Sequence, residues 1–394
     1  MQPDFVLIAL VAVLAPLLGR ILAPWVRIPV VVFELVLGII VGPAVLGWVH
    51  PDDFLHTLSQ FGLAMLFFVA GTEMSIQSLG GRTGSRAIVG WIISIVAGVA
   101  LGFIVAPGEA AIIIGIALAS TALGTLLPIL RDAGELDTAF GRTIGALGAV
   151  GEFGPLIAIS IFLGSRSPGA ATIVLLVYLL IAAGAVVWAF KAPQGRLHRF
   201  VAATLHTSGQ FAVRVVLLIL IALVTLSVVF GIDMLLGAFT AGLVWRMMMR
   251  DADHADHEAV ESKIEAIAFG FLVPIFFVYT GVTFDLRSLL ENPLLLAMVP
   301  VALLALFVVR GLPSILAAPA GSRPRERLSV ALMGATGLPI IVAVTSIGTE
   351  HKLIPASAAS VLVGAGMLSV LLFPIIAMAL RGERVTTLSA DDEV

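Results

Sequence analysis

The chain has 394 residues, 60% of them hydrophobic and only 12% charged, with a mean hydropathy of +1.12. A soluble domain carries about a quarter charged residues, so this chain cannot cover itself for water, and lipid is the solvent its composition fits. A formal net charge of −3 without a dense basic run argues against nucleic acid as a partner, and the absence of cysteine excludes disulfides, thiolate chemistry and cysteine-based metal sites.

The sequence predicts an all-α polytopic membrane protein with about thirteen transmembrane helices. Apolar stretches fall at roughly 5–23, 28–48, 57–75, 86–106, 109–130, 139–164 and 168–190, then at roughly 210–230, 232–250, 262–282, 294–319, 327–349 and 356–380. No positive segment precedes Phe5, so the first stretch reads as a retained span and not as a cleaved signal peptide. Gly231 and Asp233 mark a tight turn dividing the eighth stretch from the ninth. Residues 251–258, with His254 and His257, read as a solvated inner loop; their loose His spacing leaves pH or metal sensing open but does not make a metal box.

Basic residues set the orientation. With the N-terminus outside and the C-terminus cytoplasmic, only Arg166, Arg287 and Lys352 of the 22 Lys and Arg fall outside, and only Arg310 lies within the membrane. The multi-pass chain is thereby placed in the inner (plasma) membrane. An internal repeat also shows. Phe67-Phe68-Val69, Gly71 and Ser78-Leu79 of the third stretch match Phe276-Phe277-Val278, Gly281 and Ser288-Leu289 of the tenth. Gly38 and Gly42 of the second match Gly237 and Gly242 of the ninth. An offset of seven spans, an odd number, makes the second copy inverted, the architecture of carriers that alternate access around a central site.

Charges remaining inside the hydrocarbon are functional candidates, because each costs several kcal/mol there. Glu152 lies in the middle of the sixth stretch, in Gly151-Glu152-Phe153-Gly154-Pro155. Arg310 lies well inside the eleventh. One reading makes them a structural ion pair. The other makes Glu152 a carboxylate that binds a proton and a cation in competition, with Arg310 as its electrostatic partner. Two stretches are interrupted at their centres, at Ala119-Ser120-Thr121-Ala122-Leu123-Gly124-Thr125 and at Gly334-Ala335-Thr336-Gly337-Leu338-Pro339. They correspond under the inverted repeat, so both read as broken helices crossing at the midplane. Oxygens from Ser120, Thr121, Thr125 and Thr336, with nearby carbonyls, are candidate ligands for a small hard cation. Glu34, Glu73, Asp233 and Asp285 lie toward span ends and read as caps or charge partners. No His-Glu-x-x-His and no Gly-x-Ser-x-Gly occurs, so an intramembrane enzyme is not expected, nor is any cofactor.

Together these segments resemble the monovalent cation:proton antiporters, the superfamily of sodium/proton exchangers and potassium-efflux exchangers. The likeness is carried by Phe33-Glu34-Leu35 to Gly42-Pro43, Ala119-Ser120-Thr121-Ala122, Leu130-Arg131-Asp132-Ala133-Gly134, Gly151-Glu152-Phe153-Gly154-Pro155, Pro274-Ile275-Phe276-Phe277-Val278 and Ala335-Thr336-Gly337-Leu338-Pro339. It extends over essentially the whole chain. It implies two inverted six-helix repeats joined by a linker helix at about 168–190. A scaffold that dimerises would take about 5–75 and 210–282, and a mobile core about 86–164 and 294–380. It also implies exchange of Na⁺ or K⁺ for H⁺, with Glu152 as the shared acid and Arg310 as the basic residue of the eleventh span. Members usually carry Asn, Asp or Gln before the key acid, where this chain has Gly151, and Asp is commoner than Glu at the acid itself. A single carboxylate implies electroneutral exchange. With few residues after Arg381, regulation by a soluble nucleotide-binding domain is not expected. An organic-anion carrier on the same fold, in which Arg310 meets the substrate, and a passive channel remain the alternatives.

Overall fold

The computed structural model describes residues 3–22, 28–74, 80–163, 168–191, 210–249 and 254–381, and among these every regular element is helical. In chain order they are α1 (Pro3–Leu22), α2 (Val30–Val41), α3 (Asp53–Glu73), α4 (Gly81–Val105), α5 (Glu109–Leu118), α6 (Leu123–Asp132), α7 (Ala139–Phe162), α8 (Pro168–Lys191), α9 (Phe211–Val229) and α10 (Met234–Met248). They continue with α11 (His254–Ile267), α12 (Val273–Val282), α13 (Leu286–Glu291), α14 (Pro293–Leu306), α15 (Leu312–Ser314), α16 (Pro324–Gly334), α17 (Pro339–Glu350) and α18 (Ala356–Arg381). Among the described residues, ten helical segments are long and apolar enough to cross a membrane, and Val30–Val41, Pro168–Gly184 and Met234–Met248 are shorter apolar helices.

Local chemistry accounts for the helix ends. The Asp52, Thr138, Asp233 and Asn292 side chains accept the amides of Leu55 (2.7 Å), Gly141 (3.1 Å), Leu235 (2.8 Å) and Leu294 (3.0 Å), each serving as an N-cap. The expected turn between α9 and α10 forms, with Gly231 at φ +64° and Asp233 as the cap. The expected loop at 251–258 does not hold throughout. Residues 251–253 lie outside the described set, but helix begins at His254 and runs to Ile267. Ser78, Leu79 and Arg166 also lie outside the described residues.

Two π-helical turns interrupt long helices, Ala268–Leu272 between α11 and α12 and Phe307–Gly311 between α14 and α15. Each ends two residues before a proline, Pro274 and Pro313. The Val273 and Leu312 amides reach back five residues, to Ala268 and Phe307 carbonyls, which widens the turn where proline removes an ordinary donor. One such turn carries Arg310.

Packing divides the helices. α2 and α3 lie against α12 and α10, whereas α4, α5, α6 and α7 pack among themselves and near α14–α18; α8 touches α7 and α10. Two glycine contacts set the first group. A Cβ on Gly38 would run into the Val278 carbonyl and Gly281, and one on Gly71 into the Phe239 carbonyl and Gly242, so α2 meets α12 and α3 meets α10 backbone to backbone. Large apolar side chains stand on the outside: Val6, Val13, Ile104, Leu180, Leu218 and Val229 are all exposed, as lipid-facing residues are. The centre is held by α7 and by the α16–α17 pair, whose most apolar windows are 78% and 89% buried, against 17% for α1.

Candidate functional site

The site is assembled from two broken helices and the middle of α7. Backbone between α5 and α6 leaves the helical path at 119–122, and backbone between α16 and α17 leaves it at 335–338. The two breaks meet: the Ala122 amide donates to the Thr336 carbonyl at 2.8 Å. The motif Gly151-Glu152-Phe153-Gly154-Pro155 explains how α7 joins them. Pro155 has no amide hydrogen, so the Gly151 carbonyl, four residues earlier, loses its helical donor. The Thr121 amide supplies one at 3.0 Å. A proline inside one helix thus holds open the unwound stretch of another.

Glu152 is 4% exposed. Its Oε1 accepts from the Leu123 amide at 2.8 Å and, more weakly, from the Gly124 amide at 3.5 Å, the first two amides of α6. The start of a helix presents free N–H groups and the positive end of its dipole, which suits a carboxylate. Oε2 is buried and has no hydrogen-bond partner. One oxygen is therefore anchored, and the other is buried with nothing donating to it.

Arg310 is completely buried. Its Nε donates to Thr121 Oγ1 and one terminal nitrogen to the Leu147 carbonyl, both at 2.8 Å, while the other terminal nitrogen has no partner. Thr121 Oγ1 in turn donates to the Gly334 carbonyl at 2.5 Å. This chain of bonds links α7, the π turn, the first break and the end of α16. The direct ion pair weighed from the sequence is absent: Arg310 forms no salt bridge with Glu152, since the guanidinium is directed at Thr121 and the α7 backbone.

The hydroxyls divide by what they bond. Ser120 Oγ donates to the Ala117 carbonyl at 2.8 Å and Thr336 Oγ1 to the Leu332 carbonyl at 3.1 Å, each within its own helix. Thr121 bridges segments, and Thr125 stands in the first turn of α6, partly exposed. Two residues that the sequence did not place at the site also enter. Ser369 of α18 accepts the Gly337 amide at 3.1 Å and donates to the Gly337 and Gly366 carbonyls, at 3.1 and 2.7 Å, pinning the second break. Glu73, read as a span-end charge partner, places a buried and unpartnered Oε2 near Gly124 at the start of α6, whose amide also reaches Glu152. Only the docking of α3 against α6 distinguishes Glu73 from other acids near span ends. Asp233 and Asp285 are caps, as expected. Glu34 is not at a wet end: it is 4% exposed on α2. Among the described residues, no three His, Asp or Glu side chains gather as a metal site.

A family model described as "Sodium/hydrogen exchanger, transmembrane" matches residues 9–380. The chain belongs to the sodium/hydrogen exchanger family. An Na(+)/H(+) antiporter of Enterococcus hirae is 25% identical, with 95% of this chain and 97% of that protein aligned. The Na(+)/H(+)-K(+) antiporter GerN of Bacillus cereus is 30% identical over 65% of this chain and 66% of its own length. The Bacillus subtilis protein YjbQ is 26% identical over 94% of this chain, which spans only 62% of YjbQ. In structure, the chain resembles the sodium proton antiporter MjNhaP1 of Methanocaldococcus jannaschii, with a TM-score of 0.67, 21% identity, and 96% of this chain and 99% of that one covered. Thus the exchanger fold is shared at low sequence identity. The family is one of transporters and not of enzymes.

Proposed function

We propose that this exchanger-family protein is a secondary active antiporter that trades a monovalent cation, Na⁺ or K⁺, for H⁺ at Glu152. One observation carries the reading. Glu152 sits where two broken helices cross, with Oε1 held by the α6 amides and Oε2 buried without a partner. A carboxylate in that setting takes a proton or a cation, and not both, so the two compete for one group. The relatives named as Na(+)/H(+) and Na(+)/H(+)-K(+) antiporters support the same ion classes.

The remaining residues have distinct parts in this reading. Arg310 acts as a fixed positive charge that positions Thr121 and α7, and it compensates Glu152 through the field without pairing with it. Thr121, Thr125 and the carbonyls of the two breaks supply oxygens around the cation, with Ser120 and Thr336 shaping the breaks. The exchange is electroneutral, because one carboxylate handles one charge of either kind. The α4–α7 and α14–α18 group moves as a core against a scaffold of α1–α3 and α9–α12, with α8 as linker and the scaffold forming a homodimer. Backbone-to-backbone glycine contacts within the scaffold, α2 on α12 and α3 on α10, support both the scaffold's rigidity and an inverted repeat, since each pairs the same two repeat positions. The N-terminus lies outside and the C-terminus in the cytoplasm of the inner membrane.

The test is exchange in liposomes containing a pH-sensitive dye. A proton gradient is imposed and Na⁺, K⁺ or Li⁺ is added in turn, beside the Glu152→Gln variant. Proton movement driven by one cation and lost in the variant is expected, and acidification should raise the cation's apparent KM by competition. A folded, inserted protein that gives no response to any cation would refute the proposal and leave transport of an organic anion as the reading to pursue.

A further inference from the structure

We propose that the cavity between α4 and the 315–320 segment is a headgroup site for an anionic phospholipid. The cavity, about 760 Å³, opens at one end of the bundle and is lined by Arg82, Ser85 and Arg86 from the first turns of α4, by Arg327 of α16, and by apolar groups including Val89 and Leu316. No carboxylate lines it. Among the described residues, none of the three guanidiniums is engaged by an acid. The nearby Glu326 carboxylate is occupied with the start of its own helix, accepting the Arg323 amide at 3.0 Å. Gly80 caps α4 without a side chain, so the first-turn amides of that helix add to the positive field. Three arginines from two separate parts of the chain, facing one cavity without counter-charge, form a receptor for an anion with several oxygens.

The surface below the cavity decides which anion. Val89, Ile92 and Val96 form a stripe along α4, exposed by 51%, 50% and 65%. Val308, Leu312 and Leu316 form a second stripe, exposed by 47%, 46% and 46%. Gly90, with the Pro313 carbonyl 2.8 Å from where its Cβ would lie, brings the two helices together at the groove's floor. A soluble phosphate has no use for two apolar ridges running from the arginines along the bundle. An acyl chain does, and the ridges face the hydrocarbon that it already occupies. The charge and the groove together therefore match a phosphodiester headgroup with its tails laid between α4 and the 308–316 segment. This segment includes the π turn that carries Arg310, so the lipid would brace the same distorted stretch on which the central site is built.

The test is lipid binding and not transport, so it stands or falls separately from the antiport reading. Delipidated full-length protein is titrated with phosphatidylglycerol, with phosphatidylcholine or with inorganic phosphate, and binding is followed by native mass spectrometry. Each guanidinium near an anionic lipid adds roughly fivefold in affinity. The combined Arg82→Gln, Arg86→Gln and Arg327→Gln variant should thus bind phosphatidylglycerol about a hundredfold more weakly and lose its preference over phosphatidylcholine. The Arg323→Gln, Arg325→Gln variant removes charge from the same end of the molecule but outside the cavity, and should keep the preference. If the triple variant folds poorly, each single change should still cost about fivefold, and a photoactivatable phosphatidylglycerol should label α4 in the wild type. An unchanged preference in the triple variant overturns the proposal, as does an equal loss in the Arg323/Arg325 variant. Displacement of phosphatidylglycerol by millimolar inorganic phosphate would also overturn it, in favour of a small-anion site.

Discussion

The residue before Glu152 gives the sharpest test of the candidate site's geometry. A Cβ at position 151 would lie 2.5 Å from both Cβ and Oγ1 of Thr121, and 2.9 Å from an Arg310 terminal nitrogen. Ordinary heavy-atom contacts are near 3.5–4.0 Å, so about 1 Å of movement is required. None of the neighbours can give that much freely. Thr121 is held by its hydroxyl bond to Gly334, by the bond from Arg310 and by its amide on Gly151. Overpacking alone costs about 1–3 kcal/mol, and displacing Arg310 from a buried acceptor costs a similar amount, about 1.5–3 kcal/mol. The two overlap, so Gly151→Ala should destabilise by about 2–4 kcal/mol. Gly145→Ala on the same helix is the matched control: no atom lies within 4 Å of its Cβ position, and it should be neutral or stabilise by up to about 1 kcal/mol. Thermal unfolding of both in the same detergent, with cation-driven proton flux on reconstituted protein, reads the difference. Gly151→Asn, which places a larger side chain in the same contacts, should be worse than Gly151→Ala. Equal unfolding temperatures for the two alanine variants would refute the packing of Thr121 and Arg310 against α7.

Three further outcomes are expected. Thr121→Val removes a hydroxyl that bridges Gly334 and Arg310 and should cost about 1–3 kcal/mol, whereas Ser120→Ala, whose hydroxyl only serves Ala117, should cost less than about 1 kcal/mol; chemical denaturation in detergent ranks them, and an inverted order would sink the bridging role. Arg310→Lys keeps the charge but cannot reach both Thr121 and Leu147 with one ammonium group, so it should lower stability by about 1–3 kcal/mol and slow exchange. Wild-type behaviour in both assays would mean that charge alone matters at this position. Pro155→Ala restores an amide that competes with Thr121 for the Gly151 carbonyl. It should leave unfolding temperature equal or higher while weakening cation binding about fivefold, the worth of one hydrogen bond; isothermal titration with Na⁺ or K⁺ measures this, and unchanged binding would deprive the proline of the role given to it.

The sequence by itself determined the class, an all-helical membrane protein, and singled out the residues from which a candidate site could be sought. Lipid imposes a coarse rule, long apolar stretches with charges at their ends, and that rule is legible residue by residue. Glu152 and Arg310 stood out because a charge in hydrocarbon is rare and costly, and the two interruptions stood out because Gly, Pro, Ser and Thr crowd the middle of otherwise apolar runs. Partner choice was decided only by the tertiary structure. Glu152 and Arg310 suggested an ion pair as two opposite charges in one membrane, yet Arg310 reaches Thr121 and Leu147, and Glu152 takes the α6 amides. Nothing in linear order states which backbone amides a break exposes, or that Pro155 leaves a carbonyl for Thr121 to fill. Nor did the sequence place Glu73 and Ser369 at the site, one read as a span-end acid and the other lying among many small residues on an apolar helix. Their positions depend on how α3 docks on α6 and α18 on the second break, contacts between residues far apart in the chain that packing alone brings together.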